Sequence, residues 1–221
     1  MTSFRARLRD LQVLPDGLSG WELTDLSVLP GTPHELFETW FDEAAAAGLH
    51  APHAMTLSTA GADGTVAART VLLTDLSSAG WWFAGHATSP KGRELAANPH
   101  AALTFLWQGV GRQVRVTGAV TSHPEAGAAD LRSRSAGSRA TALVDHQSEV
   151  LDDLADHREA WSAALAEVRA DPELVVPTWT AWCLAPTTVE FWRSGGGTGQ
   201  TRVRYRRGGQ EEAWTTELLW P

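Results

Sequence analysis

A charged residue in the middle of an apolar strand constrains this chain more than any other feature: Arg69, in AARTVLLTDL. The run MTLST, AGADG, TVAARTVLLT reads as strand, tight turn, strand, because Asp63-Gly64 is a strong hairpin signal. On period-2 counting Arg69 shares a face with Ala67, Val71 and Leu73, so the pattern places it deep inside a sheet among apolar neighbours. A guanidinium there needs an anionic partner, since burying it unpaired costs several kcal/mol or more.

The same stretch carries further groups suited to an anion. After a third strand, GWWFAGHA, comes Ser89-Pro90-Lys91-Gly92-Arg93-Glu94-Leu95, with Ser89 a good N-cap and Pro90 a good first helical residue. Lys91, the only lysine in the chain, then stands in the first turn. A cation there opposes the helix dipole, which makes sense if Lys91 and the free N–H groups hold a phosphate together; chance is the other reading. Strands AALTFLW and RQVRVTGAV follow, with Gln113 and Arg115 on one face and Val114 and Val116 on the other.

Residues 1–30 carry breakers and little periodicity and read as a mobile arm; residues 31–221 read as a single domain. A helix starting at Thr32-Pro33 presents Leu36, Phe37, Trp40, Phe41 and Ala44 at helical spacing and stops at Gly48. Beyond Gly118, Pro124 to Arg132 and Ser148 to Ala170 read as helical, with Ser148 as a cap for the second. The loop between them, Ser133 to Arg139, is either an oxyanion site or an ordinary solvated loop. Strand patterns return in TWTAWCLAP, TTVEFWRS, TRVRYRR and EEAWTTELLW, so the expected fold is mainly β with α, an antiparallel barrel with peripheral helices. Most of the 11 tryptophans are expected in the core or at a subunit interface.

A net charge of -8 argues against general nucleic-acid affinity, and no apolar run is long enough for a membrane span or a signal peptide, so a cytoplasmic location is expected. Cys183 stands alone and is given no role, and His146 has no companions at metal-ligand spacing, so no metal is expected. The C-terminal arginines Arg204, Arg206 and Arg207 read as a solvated strand face. The glycine-rich run Ser194 to Gln200 lacks the following Lys-Ser or Lys-Thr of a nucleotide loop and reads as a hairpin tip.

The order RTVLLT, SPKGRELAANP, FLW, GRQVRVTG, SRSAGSRAT, HQSEVL, VEFWRSG and TRVRYRR, to the terminal Pro221, resembles the pyridoxamine 5'-phosphate oxidase family of FMN enzymes. The resemblance implies an FMN-binding split-barrel homodimer whose two flavin sites each draw on both chains. It assigns FMN contacts to Arg69, Thr70, Val71, Leu72, Lys91, Gln113, Gln147, Ser148, Trp192 and Arg202. Pro90 and Ala84-Gly85 depart from the family's pattern on this side, which predicts weaker cofactor binding. On the substrate side the implied positions are Thr74, Asp130, Arg134, Ser138, Thr198 and Gln200. Of these only Arg134 and Ser138 keep the family's phosphate-binding residues, Thr74 and Asp130 standing where it has a lysine and a tyrosine.

The expectation is therefore an FMN-dependent oxidase, nearer to the phenazine-biosynthesis type than to the vitamin B6 enzyme. It would pass hydride from a small dihydro-aromatic substrate to the flavin, with molecular oxygen as second partner and no protein acid or base. A divergent pyridoxamine 5'-phosphate oxidase is the alternative, and a flavin-binding protein without turnover a third.

Overall fold

A computed structural model describes residues 3–21, 23, 25–195, 199–209 and 212–221. In chain order its elements are α1 (Phe4–Arg9), α2 (Pro33–Ala46), β1 (Ala54–Ala60), β2 (Val66–Leu72), β3 (Asp75–Ser77), β4 (Gly80–His86), α3 (Pro90–Ala97), β5 (His100–Trp107), β6 (Arg112–His123), α4 (Pro124–Ser133), α5 (Ala136–Val144), α6 (Leu154–Ala170), β7 (Trp179–Gly195), β8 (Gly199–Arg206) and β9 (Thr215–Leu219). The strands hydrogen-bond in the order β2-β1-β5-β6-β7-β4-β3, with β8 on β7 and β9 on β8. Antiparallel pairing joins β1 to β2, β3 to β4, β4 to β7, β7 to β8 and β8 to β9. The fold is thus a mostly antiparallel sheet with helices, as expected, although among the described residues the sheet is not closed. Among those residues, no helix is long and apolar enough to cross a membrane.

The chain forms two compact units, Met1–His53 with Thr104–Val116 and Thr188–Pro221, and Ala54–Leu103 with Thr117–Thr187. In the first unit α2 opens with a reciprocal cap: the Thr32 hydroxyl accepts from the Glu35 N–H at 3.4 Å and the Glu35 carboxylate from the Thr32 N–H at 3.3 Å. Gly48, at φ 75, supplies the left-handed stop. The buried face of α2 sets Phe37 against Phe105 at 4.9 Å and Trp40 against Phe191 at 5.2 Å, both edge to face, the geometry aromatic quadrupoles favour. The segment read as an arm is partly docked here: Arg193 donates to the Ser19 carbonyl at 3.1 Å and Tyr205 to that of Pro30 at 2.9 Å, whereas α1 buries no residue.

The second unit begins with the expected hairpin, in which Leu57 pairs with Arg69 and Gly64 turns at φ 81. One expectation fails here. β2 ends the strand path and alternates between exposed and half-exposed, so Arg69 lies on an edge strand rather than deep inside the sheet. A hairpin signal fixes one neighbour of a strand and says nothing about its other side. β3, only three residues long, was not anticipated because so short a run shows no period.

Two other expectations need correction. TWTAWCLAP and TTVEFWRS are one strand, β7, in which Pro186 does not end the run. A Cβ on Gly118 would fall 2.0 Å from the Ala185 carbonyl oxygen, so only glycine lets β6 and β7 pass this closely. The supposed loop from Ser133 to Arg139 contains the start of α5, capped by Ser135, whose hydroxyl accepts from the Ser138 N–H at 3.3 Å. Ser148 caps nothing: it sits at φ 70, and α6 starts at Leu154 with Asp153 as its cap. Val150 and Leu151 prolonged the apparent apolar stripe, yet they are 93% and 48% exposed.

Candidate functional site

The second unit holds a cleft of about 480 Å³, within the range of small-molecule sites. Its cationic floor is built by α3. The Ser89 hydroxyl accepts from the Gly92 N–H at 3.3 Å and Pro90 follows at the first position, which sets Lys91 in the opening turn. Lys91 is 6% exposed, and its Nζ donates to Ser89 Oγ at 3.0 Å and to Gln147 Oε1 at 2.7 Å. Both acceptors are neutral. Burial, reinforced by the charge of Arg69 and opposed by Glu94, lowers the Lys91 pKa to about 8. An ammonium so disfavoured at a helix N-terminus is the condition a bound phosphate relieves. Gly85 makes room for it, since a Cβ there would come within 2.8 Å of Lys91 Cε.

Arg69 has found its anion inside the protein. Its Nη2 pairs with Glu94 Oε2 at 2.8 Å, while Nη1 donates to Thr59 Oγ1 and, at 3.4 Å, to the Leu57 carbonyl. Glu94 lies one turn after Lys91 on α3, and the Thr59 hydroxyl donates to the same carboxylate. Arg69 is not among the residues lining the cleft.

Arg134 reaches the cleft from the end of α4, already bound. Asp130, one turn earlier, accepts from its Nε at 2.8 Å and its Nη2 at 3.3 Å, and also from Trp179 Nε1 at 3.1 Å. The guanidinium lies 4.9 Å from the Trp179 ring centroid, completing a fork held on a carboxylate and an indole face. Ser138 lines the cleft, with its hydroxyl 3.1 Å from that of Ser135.

One constellation escaped the sequence reading. His86, at the end of β4, places Nδ1 2.8 Å from Asp145 Oδ1 and 3.1 Å from Thr178 Oγ1. Asp145 also accepts from the hydroxyls of Thr178 at 2.6 Å and Thr88 at 2.9 Å. It sits at φ 46, a left-handed position following α5 that turns its carboxylate back onto β4. Burial lowers the His86 pKa, Asp145 opposes that and Lys91 adds to it. With His86 and Asp145 59 positions apart, no local spacing could have paired them.

Of the residues singled out from sequence, Val71, Leu72, Lys91, Arg134, Ser138 and Gln147 line this cleft, whereas Thr70, Thr74, Asp130 and Ser148 do not. Gln113, Trp192, Arg202 and Gln200 belong to the first unit. There Trp192 Nε1 donates to Gln200 Oε1 at 2.9 Å, and Arg202 faces Glu190 at 3.5 Å with its buried Nε lacking a hydrogen-bond partner among the described residues. Thr198 lies outside the described residues.

Residues 41–192 match the family profile described as Pyridoxamine 5'-phosphate oxidase. The chain belongs to the pyridoxamine 5'-phosphate oxidase family. Residues 179–221 also match the profile of the Pyridoxine 5'-phosphate oxidase C-terminal dimerisation region. Among relatives in this family, the pyridoxine/pyridoxamine 5'-phosphate oxidase of Salinibacter ruber is 42% identical over 191 residues, covering 86% of this chain and 89% of its own. That of a Nocardioides species is 38% identical over 214 residues, covering 96% and 98%. Among solved structures, PhzG from Burkholderia lata 383, in complex with tetrahydrophenazine-1-carboxylic acid, superposes with a TM-score of 0.82 at 28% identity over 93% of this chain and all of PhzG. A pyridoxamine 5'-phosphate oxidase-related, FMN binding protein from Nostoc punctiforme shares the fold, with a TM-score of 0.72 at 20% identity over 87% of this chain and all of its own.

Proposed function

We propose that this member of the family is an FMN-dependent oxidase acting on a small dihydro-aromatic molecule that needs no phosphate. Lys91 and the first turn of α3 would hold the FMN phosphate, with Gln147 beside it and Arg69 keeping Glu94 occupied so that Lys91 stays available. Gln113, Trp192 and Arg202 would complete the flavin site from the second copy of a homodimer, a reading supported by the match of residues 179–221 to a dimerisation region. When bound, FMN supplies a two-electron acceptor that molecular oxygen can restore.

The choice of substrate rests on one observation, the capture of Arg134 by Asp130. Arg134 is the cation a phosphorylated substrate would need, and here its Nε and Nη2 are held by a carboxylate and its face by the Trp179 indole. A dianion would have to displace that carboxylate, at the loss of a charge-assisted bond worth roughly 1.5–3 kcal/mol, or lie beside it against its negative charge. The likeness to PhzG supports the same direction. The 42% identity to a pyridoxine/pyridoxamine 5'-phosphate oxidase supports the alternative, that the chain oxidises those phosphates. Oxygen uptake separates the two. The proposal expects turnover of tetrahydrophenazine-1-carboxylic acid or a close dihydro-aromatic, with pyridoxamine 5'-phosphate well below a kcat/KM of about 10⁴ M⁻¹s⁻¹; the reverse order sinks it.

The pH dependence of FMN binding follows from Lys91, whose pKa in the free protein is about 8. A phosphate dianion favours the ammonium and raises that pKa on binding. Between about pH 7 and 7.5 the lysine is mostly charged and the phosphate a dianion, so affinity changes little; above about pH 8 binding must take up a proton, and affinity falls towards tenfold per pH unit. Fluorescence titrations at pH 7, 8 and 9 check this, and Lys91→Ala should remove the slope.

A further inference from the structure

We propose that His86, oriented by Asp145, is the proton acceptor for the occupant of the cleft, and so a catalytic residue in the oxidation of a reduced ring. The inference rests on the oxidase reading above but concerns a different group, one that no flavin contact requires.

The geometry carries it. Asp145 Oδ1 lies 2.8 Å from His86 Nδ1, and the two oxygens of this carboxylate also accept from Thr88 and Thr178, so the carboxylate is held by three neighbours and cannot swing away. A carboxylate on Nδ1 fixes the Nδ1–H tautomer, leaving Nε2 with its lone pair, and it stabilises the imidazolium that forms when Nε2 takes a proton. The edge of the ring meets Trp179 at a centroid distance of 4.9 Å and an interplanar angle of 89°, which restricts its rotation. With Nδ1 engaged, Nε2 is the nitrogen left to act on whatever fills the cleft His86 lines.

The surrounding charges keep the group basic and uncharged at neutral pH. Asp145 is its acidic neighbour; Lys91 on α3, Arg134 at the end of α4, His146 in the loop after α5 and His157 on α6 are the other titratable groups of the lining. Burial and Lys91 together outweigh Asp145 and hold the His86 pKa below its usual value, so the imidazole is neutral at pH 7. Such a base suits the loss of two hydrogens from a dihydro ring. A reduced ring would give its hydride equivalent to FMN, the two-electron acceptor the site would hold, while the adjacent ring N–H or C–H would give its proton to Nε2 and the electron pair of that second bond would form the new double bond. The proton then passes to solvent.

The test uses the FMN-loaded protein, with tetrahydrophenazine-1-carboxylic acid as probe, and two variants, His86→Gln and Asp145→Asn. Wild type should show an acidic limb in kcat/KM with an apparent pKa below 6.5. His86→Gln should retain FMN and KM within a few-fold, lose roughly 10²-fold or more in kcat, and lose the limb. Asp145→Asn should lower kcat at least tenfold. Nitrogen-15 NMR of the wild type should find Nδ1 protonated and Nε2 bare, with Nε2 shifting when the probe is added. A His86→Gln variant that keeps the limb and a kcat within threefold overturns the inference, as does a protonated Nε2 or one indifferent to the probe. Failure to bind FMN or to oxidise the probe would instead defeat the oxidase reading, and the NMR result would still decide the role of the pair.

Discussion

Replacing Lys91 and Arg69 together by alanine is expected to give protein that folds but purifies without flavin. Lys91 lines the cleft and would meet the phosphate directly, a contact worth roughly 1.5–3 kcal/mol for a charge-assisted bond. Arg69 works differently. It pairs with Glu94, and removing it would leave that carboxylate unbalanced one turn from Lys91, competing for the ammonium and repelling the phosphate. The two losses together should weaken FMN binding by about 10²–10⁴-fold. Neither residue belongs to the apolar core, since Arg69 is on an edge strand and the buried Lys91 spends its ammonium on the polar Ser89 and Gln147. Circular dichroism should therefore be unchanged while the visible flavin absorbance disappears; a double variant that keeps its full complement of FMN refutes the assignment.

The opposite experiment concerns selectivity. Changing Thr74→Lys and Asp130→Tyr together would supply the lysine and tyrosine that the family resemblance assigns to these two positions. It frees the Arg134 fork and adds a cation, so oxidation of pyridoxamine 5'-phosphate should rise by about 10²–10⁴-fold in kcat/KM. Losing Asp130 also takes the acceptor from Trp179 Nε1, so a stability loss of about 1–3 kcal/mol is expected unless the new phenol takes up that bond. Oxygen-uptake kinetics read the gain and thermal unfolding reads the loss. An unchanged rate with the phosphate would mean that Asp130 is not what excludes it.

The parts legible in the sequence were those fixed by local chemistry. Thr32 with Pro33, Ser89 with Pro90, and Asp63-Gly64 each specify a turn or a helix start over a few residues, and each stands where it was read. What depends on long-range pairing was not legible. Arg69 was expected to await an external anion because nothing local shows that Glu94, 25 residues on, would fold against it. The constraint on Arg134 was half visible: an acid four residues earlier suits an i, i+4 pair, yet Trp179, which fixes that pair in place, comes 45 residues later. Helix α5 was hidden because Ser133 to Arg139 has loop composition, and only the cap at Ser135 shows where the chain starts to coil. His86 shows neither motif nor period; its meaning comes from the left-handed turn at Asp145.

The central claim is that the cleft at Lys91 binds a flavin by its phosphate. Titrating the apoprotein at pH 7 with FMN and with riboflavin, followed by quenching of flavin fluorescence, tests it most directly. FMN should bind at least 100-fold more tightly than riboflavin in wild type, and the preference should collapse in the Lys91→Ala, Arg69→Ala double variant, because the phosphate contacts are all that separates the two ligands. Equal affinity for the two, or a preference that survives the double substitution, would contradict the account.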